Sequence, residues 1–235
     1  MINKEHEKLV QKLKDPAFLD EYKTKFDTYK VGIVPKMLGK ILVFSGNFIY
    51  GKTPSYRKFK AVEVIARIPY QSWELASYMF LTAMYSNEEK AIELSQLSEF
   101  GREAQDNETM HVVVISQIVK RVHTNNFILH TFIPLVFSFF YFVVVFILYI
   151  FSSKAALELN YMFESHAFEQ YDKFLKENEE KLKLNKVESR FLKFYGRDID
   201  NEYDLFFSIR NDEIIHRNKS IEKIIEKEKR SKILK

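Results

Sequence analysis

With 235 residues, 46% hydrophobic and 29% charged, the chain is long and apolar enough to bury a substantial core, which excludes both a disordered segment and an all-lipid membrane protein. Six Gly and five Pro supply too little turn chemistry for a sandwich or barrel of many short strands, so helices are expected. The formal charge of +4, from 36 basic and 32 acidic side chains, makes no case for nucleic acid, and the lack of Cys excludes disulfides, thiolate metal sites and thiol switches.

Residues 1–27 read as one polar, weakly amphipathic helix with Leu9, Leu13 and Phe18 as its apolar points, expected to form a peripheral N-terminal arm. Its start lacks the apolar core of a secretory signal and is too acidic for a transit peptide, so either the chain is made where it works or a leader lies outside this sequence. Over residues 34–49, Val34, Met37, Leu38, Ile41, Leu42, Phe48 and Ile49 share one helical stripe beside Lys30, Lys36 and Lys40. That pattern suits a membrane surface and equally a helix packed on a core. The breaker run Gly51–Ser55 precedes a helix from about Tyr56 that bends near Pro69 and continues toward Tyr85.

Asn87, followed by Glu88 and Glu89, is a fair N-cap for a long helix to about His123. Residues 127–151 are almost unbroken apolar sequence, long enough to cross a membrane. A further helix runs from Ser152 and Ser153 to about Lys176, and a charged stretch follows. The last helix starts near Asp200 and fades into a charged C-terminal tail, 219–235. A load of 22 Phe and 13 Tyr against one Trp exceeds what a soluble helical bundle needs and makes a lipid-facing or quinoid surface plausible.

Two of the six His residues stand in the same arrangement, Glu108-x-x-His111 and Glu213-x-x-His216. On a helix, positions i and i+3 share a face, so one carboxylate and one imidazole can grip a single metal ion. The first pair lies on a stripe of Leu97, Gly101, Ala104 and Ile115, where an unpaired carboxylate would cost several kcal/mol and needs a cation. Glu164 is the lone acid among Leu157, Tyr161, Phe168 and Tyr171, and Glu63 sits among Phe59, Val62, Ala66, Tyr70 and Trp73. One Glu from each of two helices and Glu-x-x-His from each of two others is the ligand pattern of a di-iron carboxylate four-helix bundle. Oxygen-rich ligation with two imidazoles and no sulfur suits iron or manganese better than zinc. The competing explanation, salt-bridged surface acids and scattered core histidines, has to produce four matched elements in the right order by chance.

The strings Val62-Glu-Val-Ile-Ala-Arg-Ile-Pro-Tyr70, Asp106-Asn-Glu-Thr-Met-His111, Glu164-Ser-His-Ala-Phe-Glu-Gln-Tyr-Asp-Lys-Phe-Leu175 and Tyr203-Asp-Leu-Phe-Phe-Ser-Ile-Arg-Asn-Asp-Glu-Ile-Ile-His216 resemble the alternative oxidases, most closely the plastid terminal oxidase branch. The resemblance covers about residues 56–218. It implies an all-α, ferritin-like di-iron four-helix bundle with additional membrane-associated amphipathic helices. The activity implied is that of a quinol oxidase, which takes electrons from plastoquinol or ubiquinol and reduces dioxygen to water without pumping protons. A homodimer bound to lipid on one leaflet is also implied, with residues 28–218 as the oxidase domain. Two iron ions would be held by Glu63, Glu108, His111, Glu164, Glu213 and His216.

The family's redox-active tyrosine falls on Tyr171, and Asn107 and Asp212 fall on positions that orient the ligands by hydrogen bonding. Tyr171 lies seven residues after Glu164 on the same face, about 10 Å along the axis, and its side chain leans back toward the helix N-terminus. The implied quinol pocket takes in Lys58, Val62, Ala167 and Gln170. Here the sequence departs from the family, with Lys58 in place of an Arg, Val62 in place of a Leu and Gln170 in place of a common Thr. The plastid-type insertion before the last ligand helix is absent.

A true span over 127–151 would put Glu108 and Glu164 in different compartments. One shared site therefore requires that helix to be a crossover dipping one face into a single leaflet, as a monotopic protein does. Two rival functions are a membrane-bound di-iron monooxygenase, such as a quinone-ring hydroxylase, and a non-enzymatic membrane or iron-storage protein.

Overall fold

The computed structural model describes residues 3–122 and 126–233. Ten α-helices run in chain order among them: α1 Lys4–Lys12, α2 Pro16–Thr24, α3 Ile33–Tyr50, α4 Tyr56–Ala66, α5 Ile68–Met84, α6 Glu88–Val122, α7 Ile133–Phe151, α8 Ser153–Leu184, α9 Arg190–Tyr195 and α10 Glu202–Ile233. A π turn, Ile128–Phe132, leads into α7. The described residues contain no strand, only one isolated bridge between Lys186 and Asn201. The fold is the all-helical, ferritin-like bundle expected. Its four long walls are α4 with α5, α6, α8 and α10.

Local chemistry sets the helix boundaries. Ser55 caps α4 by accepting from Lys58 N–H at 3.3 Å, Asn87 caps α6 through Lys90 N–H at 3.1 Å, and Ser152 caps α8 through Ala155 N–H at 3.1 Å. Helix α4 stops at Arg67 because Pro69 in the first turn of α5 cannot continue the hydrogen-bond ladder. Gly101 lets α6 approach α5 closely, since a Cβ there would lie 3.2 Å from the Tyr70 carbonyl oxygen. The expected end of α6, about His123, lies outside the described residues.

Two apolar clusters bracket the middle of the bundle. One contains Phe59, Val114, Tyr171, Phe206 and Ile209, and the other Tyr70, Trp73, Ala104, Tyr161 and Ile221. Along every wall the acids and histidines of interest fall between members of these clusters: Glu63 between Phe59 and Tyr70, Glu108 and His111 between Ala104 and Val114, Glu164 between Tyr161 and Tyr171, Glu213 and His216 between Ile209 and Ile221. A polar layer is thus sealed above and below by hydrocarbon.

Three segments differ from expectation. Residues 4–24 form two helices rather than one, because the Asp15 side chain accepts from Ala17 N–H at 3.0 Å and Pro16 opens a new helix. The first of these is not peripheral, since its Val10 and Leu13 are buried against Phe168, Ile214 and Ile215. The charged C-terminal stretch does not fade, as α10 continues to Ile233 and buries Ile221 and Ile224.

Helix α7 packs along α4, α5 and α8 rather than leaving the bundle, yet Leu135, Phe139, Phe140 and Ile147 on it are exposed. Helix α3 lies on α8 and exposes Met37, Ile41, Phe44 and Phe48. At the end of α3, Tyr50 donates to the carbonyl of Leu129, in the π turn that leads into α7, at 2.9 Å.

Candidate metal centre

The six residues singled out from the two Glu-x-x-His pairs and the lone acids converge in the sealed layer, and all six are buried. Two four-residue groups bring their donor atoms within 4.8 Å of one another: Glu63, Glu108, His111 and Glu213, and Glu108, Glu164, Glu213 and His216. Both groups share Glu108 and Glu213. That overlap gives room for two adjacent candidate cation positions, with two carboxylates common to both and one carboxylate and one imidazole at each end. His111 Nδ1 stands 3.4 Å from Glu63, Glu108 and Glu213, and His216 Nδ1 stands 2.9 Å from Glu108 Oε1.

The donors fit metal. Both oxygens of Glu108 and Glu213, one oxygen each of Glu63 and Glu164, His111 Nδ1 and both His216 nitrogens are buried without a hydrogen-bond partner. Orphaned acceptors at this density are costly in a protein interior unless a cation takes them up, and four carboxylates balance two divalent ions. Burial, compounded by the neighbouring Glu108, raises Glu63 to about 7, and burial raises Glu164 to about 8 and Glu213 well above the ordinary range. Without a cation this layer resists holding its full negative charge.

The two imidazoles are held differently. His111 Nε2 donates to Asp212 Oδ2 at 2.9 Å, which leaves Nδ1 aimed at the carboxylates. Burial alone would lower the His111 pKa, but Glu108 and Asp212 push it well up. Asp212 also accepts from His6 Nε2 at 2.7 Å and from the Arg197 guanidinium at 2.5 and 2.7 Å. Burial favours a neutral Asp212, yet Arg197, His111 and His6 together hold it ionised. His216 has no such partner, and burial lowers it to about 3. The Asn107 side chain makes no hydrogen bond to a candidate ligand among the described residues. Its Nδ2 donates to Tyr195 OH at 3.1 Å, and its Oδ1 has no partner.

Tyr171 is buried, donates to Glu63 Oε1, and stacks on Phe59 with ring centroids 4.1 Å apart. Burial and Glu63 raise its pKa well above the usual value, so it is a phenol at neutral pH. Lys58, Val62, Ala167 and Gln170 line one narrow cavity of about 50 Å³ that ends at Glu63, Tyr171 and Glu213. Lys58 Nζ donates to Asn47 Oδ1 at 2.8 Å and Gln170 Oε1 at 3.1 Å, both also on the cavity lining, and to Gly51 O at 2.9 Å.

Several contributors were not read from the sequence. Leu42, Val43, Gly46 and Asn47 of α3 form the outer wall of the cavity. Tyr70 donates to Glu164 Oε1 at 2.7 Å and accepts from Asn160 Nδ2 at 2.9 Å. The signal for Tyr70 was its place seven residues after Glu63, the spacing that separates Tyr171 from Glu164. Arg197 and His6 carried no local signal, since each acts through Asp212 from another segment, 15 and 206 residues away.

The sequence profile of the family described as Alternative oxidase matches residues 23–222. The chain is 29% identical over 183 residues to "Ubiquinol oxidase 4, chloroplastic/chromoplastic" of Arabidopsis thaliana, an alignment covering 69% of this chain and 49% of that relative. The matched region therefore spans about half the length of the curated relative.

Proposed function

The chain belongs to the alternative oxidase family, and from that premise we propose that it is a non-haem di-iron quinol oxidase: two quinols yield two quinones, and one dioxygen takes up the four electrons and four protons to give two waters. The observation that carries this reading is the cavity, which runs from the exposed apolar helix α3 to Tyr171 and Glu63 at the edge of the metal layer. Glu63, Glu108, His111, Glu164, Glu213 and His216 would hold the metal. Two iron ions, when bound, would supply the reducible centre that accepts electrons and activates dioxygen.

The remaining steps belong to the protein. Val62, Ala167, Phe163 and Leu42 offer apolar walls to a hydroquinone ring, and Lys58 and Gln170 place polar groups beside its hydroxyls. The slot is narrow, so a ring enters by displacing wall side chains, and the Lys58 bonds to Asn47 and Gln170 join three of its lining residues. Tyr171 keeps its proton between its own oxygen and Glu63 Oε1. In dioxygen reduction the phenol gives up one electron and passes that proton to Glu63, which yields it to the oxygen being reduced. A quinol in the cavity then returns a hydrogen atom to Tyr171, and the half-oxidised ring gives its remaining electron and proton to the same reduction and leaves as quinone. The apolar clusters on either side exclude bulk water.

Membrane attachment follows the same geometry. Helices α6 and α8, on either side of the apolar α7, both supply the one buried layer, and α7 packs along the bundle. These facts support a monotopic placement, with the exposed faces of α3 and α7 in one leaflet, although Ile128–Phe151 is long and apolar enough to cross a membrane. Oxygen uptake driven by quinol alone, with no other reductant or organic substrate, is the test. Uptake that requires a second reductant and yields a hydroxylated ring would replace this reading with the monooxygenase.

A further inference from the structure

Helix α1 precedes residue 23, where the family match begins, and it reaches the metal layer from outside. The adjacent residues His6 and Glu7 both engage its outer scaffold. His6 is buried and donates from Nε2 to Asp212 Oδ1 at 2.7 Å, while Glu7 Oε1 accepts from Arg197 Nε at 2.9 Å and Nη2 at 2.5 Å. Arg197 in turn grips both oxygens of Asp212. The other face of the Asp212 carboxylate receives His111 Nε2, so the chain of contact from α1 to a metal-facing imidazole is two hydrogen bonds long. The His6 ring also lies 5.7 Å from the His216 ring, between centroids.

His6, Glu7 and Asp212 lie close enough together to suggest a third cation site. The guanidinium of Arg197, bonded to both carboxylates, already occupies that place, so the cluster serves the neighbouring centre instead.

We propose that α1 is an outer part of the metal centre and that His6 is a positioning residue, holding Asp212 so that His111 presents Nδ1 to the metal. A carboxylate with four donors around it has one orientation. Without His6, one oxygen loses a partner and Asp212 is free to rotate toward Arg197, which loosens its grip on His111.

This inference rests on the metal-centre reading, and the test separates the two. Ferrous iron is titrated anaerobically into the full chain against a chromogenic chelator, and the visible absorption of the Co(II)-loaded protein is recorded in parallel. Replacing His6 by Ala should weaken iron binding about 10–100-fold and shift the Co(II) spectrum. His6→Met, which fills the space without a donor, should do the same, and His6→Gln, which sets an amide nitrogen near the Nε2 position, should recover most of the loss. Val10→Ala removes buried α1 packing without touching Asp212, so it should lower the melting temperature yet bind iron as the parent does. Unchanged affinity in His6→Ala or His6→Met, or an equal loss in Val10→Ala, would overturn the positioning role alone. A parent chain that takes up no iron would overturn the metal reading and this inference with it.

Discussion

On one side of the ligand layer the Tyr171 hydroxyl donates to Glu63 and the ring borders the cavity beneath α3; on the other the Tyr70 hydroxyl donates to Glu164 Oε1 at 2.7 Å, and Tyr70 is fully buried with Trp73 and Phe100 packed against it. Each tyrosine stands seven residues after one glutamate and bonds to the other. Both are buried phenols with raised pKa values. What differs is access: only Tyr171 lines the cavity, and Tyr70 is tied instead to Asn160, which also donates to Ser220 Oγ at 3.1 Å. A redox part for Tyr171 therefore follows from where a reductant can arrive, since closeness to the metal ligands is common to both.

The largest effect should ignore this asymmetry. Glu108 belongs to both cation positions, so Glu108→Ala should abolish detectable turnover and lower bound iron at both, as measured by iron per chain and oxygen uptake. His216→Ala should likewise abolish turnover while stripping iron chiefly from one position. Equal retention of iron and activity in these variants would dismantle the centre.

The next effect separates the two tyrosines. Tyr171→Phe keeps the stacking on Phe59 and removes only the hydroxyl, so iron content should hold while quinol-driven oxygen uptake falls about 100-fold or more. Tyr70→Phe leaves a buried Glu164 oxygen and the Asn160 amide short of a partner, a loss of about 1–3 kcal/mol that should appear in thermal unfolding, with turnover reduced far less than in Tyr171→Phe. Equal turnover losses would show that access does not decide the role.

The remaining two effects concern the approach to Tyr171. Ala167→Phe fills the cavity wall and should raise the quinol KM by about tenfold while iron and melting temperature stay close to the parent's. Replacing Phe44 and Phe48 together by Ser removes two exposed rings from α3 and should reduce partition onto lipid vesicles about tenfold or more, measured by co-sedimentation. Unchanged sedimentation would move the membrane contact to α7 alone.

The six candidate ligands were legible because helical periodicity turns a spacing of three residues into a shared face, and because an acid stranded on an apolar stripe demands compensation. The break at Asp15 and Pro16 is a local cap and first-turn signal that the sequence reading passed over. What nothing local could reveal is that Val10 and Leu13 dock on Phe168, Ile214 and Ile215, or that the charged end of α10 keeps burying Ile221 and Ile224, since those outcomes depend on a distant surface. Asn107 illustrates the same limit, because its partner is Tyr195 on α9, a short helix absent from the sequence reading. By itself the sequence determined the helical class, the Glu and Glu-x-x-His donor set and the apolar faces, all properties of period and composition within single segments. Only the tertiary structure decided which acids are shared by both cation positions, which of two equivalent tyrosines meets the cavity, and that His6 reaches Asp212 across the chain. Those depend on how separate helices are rotated and stacked against one another, which packing between segments sets and no single stretch encodes.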